Sequence, residues 1–154
     1  MAVEIERKFL VMNEEWRNQV DESFEISQGY LNSSIDRNVR VRIKGEQAFL
    51  TIKTKTKSIT RTEFEYEIPL EDGLQLIDIC EKPIIKKRRH LIIQNQHTWE
   101  LDVFELENQG LIIAEIELSS EEEQFKTPSW LGKEVSDDTR YFNSALIKHP
   151  FSKW

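Results

Sequence analysis

A two-residue period recurs along almost the whole chain, and in each segment one face is nearly pure charge. Successive side chains of a β-strand point to opposite faces, so this alternation predicts half-buried antiparallel strands. In VEIERKFL (3–10), Glu4, Glu6 and Lys8 share one face and Val3, Ile5 and Phe9 the other. NVRVRIKG sets Arg40, Arg42 and Lys44 against Val39, Val41 and Ile43. After the turn-like KGEQ, FLTIKTK places Lys53 and Lys55 in phase with Thr51. RTEFEYEIPL sets Arg61, Glu63, Glu65 and Glu67 against Thr62, Phe64, Tyr66 and Ile68. In IIKKRRHLII, Lys87 and Arg89 are in phase while Lys86 and Arg88 blur the alternation. TWELDVFEL opposes Glu100 and Asp102 to Trp99, Leu101 and Val103, and IIAEIEL opposes Glu115 and Glu117 to Ala114, Ile116 and Leu118.

Helical signals are fewer. NEEWRNQV (13–20) carries Trp16 and Val20 four apart, and EDGLQLIDIC (71–80) forms a second apolar run interrupted by Gly73. SSEEEQFK opens with capping-box spacing, Ser119 to Glu122 or Ser120 to Glu123, and predicts a helix ending at Pro128. DDTRYFNSALIKH (137–149) predicts the last helix, capped by Asp137 or Asp138, with Tyr141, Ala145 and Leu146 as its buried stripe and Pro150 after it. PSWLG (128–132) reads as a packed turn with Trp130 in the core. With 154 residues, 5 Gly, 4 Pro and no repeat or linker, the expectation is one domain, 1–154. Its class is α+β, mainly antiparallel β, with helices covering the sheet.

The net charge of −7 and the lack of a basic stretch argue against binding a nucleic-acid polymer. One cysteine, Cys80, rules out an internal disulfide framework and reads as a core residue in its apolar run. The start of the chain is charged at once, with no apolar run fit for a signal peptide or membrane span, so a cytoplasmic protein without a membrane partner is expected. The glycines at 29, 45, 73, 110 and 132 form no phosphate loop. His90, His97 and His149 lack zinc-ligand spacing and read as surface or structural residues, and nothing marks a side-chain nucleophile.

Any one of these strands is explained by a charged face turned to water. The set is less ordinary, because solvated faces usually mix Thr, Ser and Gln with their charges. Turned inward, the same faces would line a lumen with carboxylates and cations, a costly arrangement unless they pair, stay hydrated or bind ions. Arginines and lysines there would clamp phosphoryl oxygens, and the carboxylates would hold Mg²⁺ or Mn²⁺, which share oxygen ligands with substrate phosphates. Periodicity leaves open which face points inward.

VEIERKFLV is an E-x-E-x-K signature that resembles the CYTH superfamily, the triphosphate tunnel metalloenzymes. VRVRI, LTIK, RTEFEYEIP, KKRR, WELDVFE, LIIAEIEL and WLGKEVSDDTRYFNSAL are similar to that family's successive blocks, in the same order. The resemblance covers nearly the whole chain and is nearest the small single-domain bacterial members. It implies a closed eight-stranded barrel with a charged lumen and helices on the outside. By motif position, Glu4 and Glu6 are implied as metal ligands and Lys8 as a phosphate contact. Arg40, Arg42, Lys53, Lys87 and Arg89 are implied to bind the triphosphate. Asp102, Glu115 and Glu117 complete the metal sites, with Glu63 and Glu65 as further ligands or supporting acids. Glu6, Asp102, Glu117 and Lys87 form the implied catalytic set, Asp102 and Glu117 also orienting the attacking water. In IIKKRRH, Lys86 and Arg88 should then point outward, and His90 stands where an aromatic residue is common.

The resemblance implies two Mg²⁺ or Mn²⁺ ions per site and a small triphosphate substrate, in a monomer or homodimer. The superfamily also holds thiamine triphosphatases, RNA 5′-triphosphatases and class IV adenylate cyclases. Short length and negative charge disfavour an RNA enzyme, and a minimal tunnel points to inorganic tripolyphosphate hydrolysed at its terminal phosphoryl group. A nucleotide-using member or a non-catalytic polyphosphate binder are the alternatives, and closure of the tunnel by the C-terminal helix is left open.

Overall fold

A computed structural model describes residues 3–55 and 59–154. The alternating segments form strands β1 (Val3–Val11), β2 (Glu22–Asn32), β3 (Arg37–Lys44), β4 (Gln47–Thr54) and β5 (Thr60–Ile68). Strands β6 (Ile85–Gln94), β7 (His97–Phe104), β8 (Ile112–Glu117) and the short β9 (Leu131–Glu134) follow. The sheet order is β5-β4-β3-β2-β6-β7-β8-β1-β9, and β5 pairs again with β1. Eight strands thus close into an antiparallel barrel, with β9 as an addition.

Strand β1 makes the closure by dividing its work. Its first residues, Val3 to Ile5, pair with β5, while Phe9 and Val11 pair with β9. Its other edge pairs with β8 from Glu6 to Leu10. Two-residue turns join β3 to β4 and β6 to β7, with Gly45 at φ 61° and Asn95 at φ 58°, conformations that glycine and asparagine tolerate best.

The charged faces point inward and the apolar faces outward. Phe9, Trp99, Leu101, Ala114 and Ile116 form the outer wall's core with Ile92 and Leu118. The wall is covered by the 3₁₀ turn Glu15–Gln19, which buries Trp16, and by the segment carrying Phe125 and Trp130. Trp99 meets Trp130 and Phe9 edge-on at centroid distances of 5.5 and 5.7 Å. Such pairs add about 0.5–1.5 kcal/mol each beyond area burial. Val3, at the mouth, stays half exposed.

Helix α1 (Leu70–Ile79) lies outside against β2, β3 and β4. Gly73 allows the close approach: a Cβ there would sit 2.4 Å from the Ala48 Cβ and 3.0 Å from the Ile43 Cδ1. Cys80 caps this helix, buried as expected.

A second core fills one end of the barrel. Leu10, Tyr30, Ile85, Phe104 and Ile113 continue the inward faces of Lys8, Gln28, Lys87, Asp102 and Glu115, and they pack against Tyr141, Leu146 and Ile147. Helix α2 (Asn143–Lys148) therefore plugs the barrel instead of lying on its wall. The single helix expected over 137–149 is broken into a 3₁₀ turn, Thr139–Tyr141, and α2, with Phe142 extended between them. Asp138 caps the turn by accepting from the Arg140 amide.

Two other helical expectations are corrected. Residues 13–20 form only the 3₁₀ turn, and residues 119–126 form no helix. Glu123, read as a capping-box acid, instead accepts from the Ser119 amide and contacts His97. This extended course delivers Phe125 to Phe9 and Trp99, and the aromatic burial outweighs the capping signal. Strand β9 was hidden in the segment read as a packed turn.

Gly73→Ala is expected to destabilise the fold by about 1–3 kcal/mol through overpacking, although the same change in an open helix stabilises. Urea denaturation checks the sign.

Candidate active site

The inward faces line a cavity of about 530 Å³ whose wall, among the described residues, carries seven carboxylates and seven cations. The carboxylates are Glu4, Glu6, Glu63, Glu65, Glu100, Glu115 and Glu117; the cations are Lys8, Arg40, Arg42, Lys53, Arg61, Lys87 and Arg89. Phe142, Asn143 and Ser144, at the start of α2, form part of the wall. Antiparallel register brings the groups level with one another: Glu6 faces Glu117 and Lys8 faces Glu115 across β1 and β8, while Glu100 faces Glu115 across β7 and β8.

Much of the charge is paired. Lys8 Nζ lies 2.7 Å from Glu115, and Lys53 Nζ 3.3 Å from Glu4. Arg40 donates to Thr51 Oγ1 at 3.2 Å and reaches Glu65 at 3.5 Å, while its buried Nε has no hydrogen-bond partner. Arg42 donates to Gln28 Oε1 at 2.9 Å, and Arg61 lies 4.4 Å from the Phe142 ring centroid. Among the described residues, neither Arg42 nor Arg61 has a carboxylate within 4 Å.

Asp102 lies beneath the lining, fully buried. Arg89 donates to its two oxygens at 2.8 and 2.9 Å, and Lys87 adds a third contact at 2.7 Å. Burial opposes ionisation of Asp102, yet Arg89 and Lys87 hold its carboxyl down at about 2. Arg89 also reaches out to Glu100 at 3.0 Å, linking this buried triad to the cavity.

Burial lowers Lys87, Arg42 and Lys53 and raises Glu6 and Glu117. Close ion pairing outweighs burial at Lys8 and Arg89, which are raised, and at Asp102 and Glu115, which are lowered. Burial pushes Lys87 down to about 7 despite Asp102, with Arg89 and Arg42 adding repulsion. Arg42 falls to about 9 from burial and from Arg40 and Arg89, still charged at neutral pH. Burial also lowers Lys53. The Glu6 carboxyl is raised well above the usual range by burial and by Glu115. For Glu115 burial acts upward too, but Lys8 holds it well below that range. Burial and Glu4 raise Glu117. An anion would relieve Lys53, Lys87 and Arg42, and a cation would relieve Glu6.

Oxygens of Glu6, Glu100 and Glu115 lie within 4.8 Å of one another, a donor set that suits a hard divalent cation. Of the residues expected from sequence, Glu4, Glu6, Lys8, Arg40, Arg42, Lys53, Glu63, Glu65, Lys87, Arg89, Glu115 and Glu117 share this one cavity. Asp102 does not line it, and Glu4, Glu63, Glu65 and Glu117 stand outside the three-carboxylate group. Lys86 and Arg88 point away as expected, Arg88 toward Glu25 at 3.6 Å. Glu100 and Arg61 were missing from the expected set, although each shares a face with residues in it, Glu100 with Asp102 and Arg61 with Glu63. Asn38, Tyr30 and the plug residues gave no signal, since short polar and aromatic residues carry no period of their own.

Asp102→Asn is expected to cost about 3–5 kcal/mol, because Lys87 would be left a buried cation without a carboxylate and Arg89 would keep only Glu100. Thermal or urea unfolding checks this, apart from any effect on turnover.

The CYTH domain model matches residues 2–145. An inorganic triphosphatase of Acetivibrio thermocellus is 41% identical over 155 residues, covering 100% of this chain and 99% of that protein. One from Nitrosomonas europaea is 33% identical over 147 residues, covering 93% and 95%. A crystal structure of an inorganic triphosphatase superposes with a TM-score of 0.66 at 32% identity, covering 96% of this chain and 95% of the other. Family model, relatives and barrel agree, and the chain belongs to the CYTH domain family.

Proposed function

We propose that this protein hydrolyses inorganic tripolyphosphate to pyrophosphate and phosphate in a divalent-metal-dependent reaction inside the barrel. The observation that carries the reading is the balanced lining of the cavity, seven carboxylates facing seven cations among the described residues. A polyphosphate alone would leave such a site with excess negative charge, whereas a polyphosphate accompanied by divalent cations restores the balance. The triphosphatase relatives support the same chemistry.

Arg40, Arg42, Lys53, Arg61, Lys87, Arg89 and Lys8 bind the phosphate chain, the arginines by forked donation and the lysines as point charges. Glu6, Glu100 and Glu115 hold one ion, and Glu4, Glu63, Glu65 and Glu117 are the remaining carboxylates for a second. Bound there, Mg²⁺ or Mn²⁺ supplies neutralisation of phosphoryl oxygens and lowers the pKa of a water. Glu117, raised and open to the cavity, orients the attacking water and takes its proton. As the new P–O bond forms, the bridging P–O bond breaks and pyrophosphate leaves with the electron pair, its charge met by Lys87 and Arg89. Asp102 contributes by fixing those two cations. In this reading residues 1–154 act as one domain, a cytoplasmic monomer or homodimer.

Phosphate release from tripolyphosphate, ATP, thiamine triphosphate and pyrophosphate, with Mg²⁺ or Mn²⁺ and with EDTA, tests the proposal. Tripolyphosphate should be the preferred substrate and EDTA should abolish turnover; no metal-dependent release from tripolyphosphate sinks the reading. Glu6→Gln should lower kcat at least about a hundredfold with the fold intact, since removing even a supporting partner of a metal ligand costs 10–100-fold. Arg61→Ala should raise KM about tenfold or more, the loss of a charged hydrogen bond, in the same assay.

A further inference from the structure

The closed end of the cavity is built around one carboxamide. Asn143, the first residue of α2, offers Oδ1 to Lys87 Nζ at 3.0 Å and to Gln28 Nε2 at 3.2 Å. Gln28 in turn accepts from Arg42 Nε at 2.9 Å through its own Oε1. Lysine and the arginine Nε can only donate, so both amide orientations are dictated by the cations they meet. Gln28 and Lys87 are fully buried, so these contacts rather than bulk solvent hold their donors in place.

The consequence lies in where the two cations point. Lys87 carries three N–H donors. Asp102 takes one from below and Asn143 takes another from the plug, leaving the third for the cavity that Lys87 lines. Without Asn143, the ion pair with Asp102 alone would draw Lys87 toward the floor. Gln28 would keep only a long 3.5 Å contact to the Tyr30 hydroxyl for its amide, and its hold on Arg42 would loosen.

Resting on the triphosphatase reading, we propose that Asn143 is a positioning residue for the phosphate chain, acting through Lys87 directly and through Gln28 on Arg42. The C-terminal helix thereby sets the aim of two substrate-binding cations as well as closing the barrel. Leu146, fully buried on the same helix, belongs to the apolar packing of the plug and has no side-chain polar group to bond Lys87, Gln28 or Arg42, so it separates aiming from docking.

The test compares Asn143→Ala, Asn143→Asp and Leu146→Ala with wild type, measuring KM and kcat on tripolyphosphate with Mg²⁺ and the thermal midpoint. Asn143→Ala should raise KM about tenfold, one hydrogen bond to a charged group, with a smaller fall in Tm than Leu146→Ala. Asn143→Asp keeps the shape and the acceptor but adds a carboxylate beside the phosphates; it should raise KM further, and it serves if the alanine variant fails to fold. Leu146→Ala should lower Tm with KM unchanged. An active wild type whose KM is unmoved by either Asn143 variant overturns the proposal alone, as does a Leu146→Ala variant whose KM rises equally. A wild type without turnover on tripolyphosphate overturns the functional reading and this one with it.

Discussion

The buried triad of Arg89, Asp102 and Lys87 sits at the junction on which the rest of the molecule depends. Above it the inward faces are charged; below it the same faces turn to Ile85, Phe104 and Ile113 and pack against the plug. Desolvating charges costs several kcal/mol per ion, so such a boundary survives only with near-complete hydrogen bonding. Asp102 accepts three contacts at 2.7–2.9 Å and is fully enclosed, which meets that condition. The triad lets a strand pass from an aqueous, ion-binding lumen to a dry core within one repeat of its pleat.

How much of this was legible in the sequence follows from what a period can carry. Alternation located the strands well, because β1, β3, β5 and β8 each carry two or more charges spaced two residues apart on one face. Direction was not legible from that pattern, since a period of two is unchanged when inside and outside are exchanged. The family resemblance supplied it. Asn143 was invisible for a different reason: its importance comes from two long-range hydrogen bonds, to residues 56 and 115 positions away. Glu123 shows local logic failing, its capping-box spacing present but overridden by the distant aromatic cluster that claims Phe125.

Cavity chemistry and plug are linked by the same geometry. A barrel needs inward side chains to fill it, and an eight-stranded barrel is wide enough to be filled by its own side chains or to hold one small ligand. Here both solutions occur along one axis, apolar filling at one end and a polyvalent site at the other. Their meeting point has to satisfy Arg42, which has no carboxylate partner among the described residues, and the donors that Asp102 leaves free on Lys87. A further carboxylate there would compete with phosphate for the same donors. A neutral acceptor, such as the carboxamides of Asn143 and Gln28, engages those donors without adding negative charge beside the substrate.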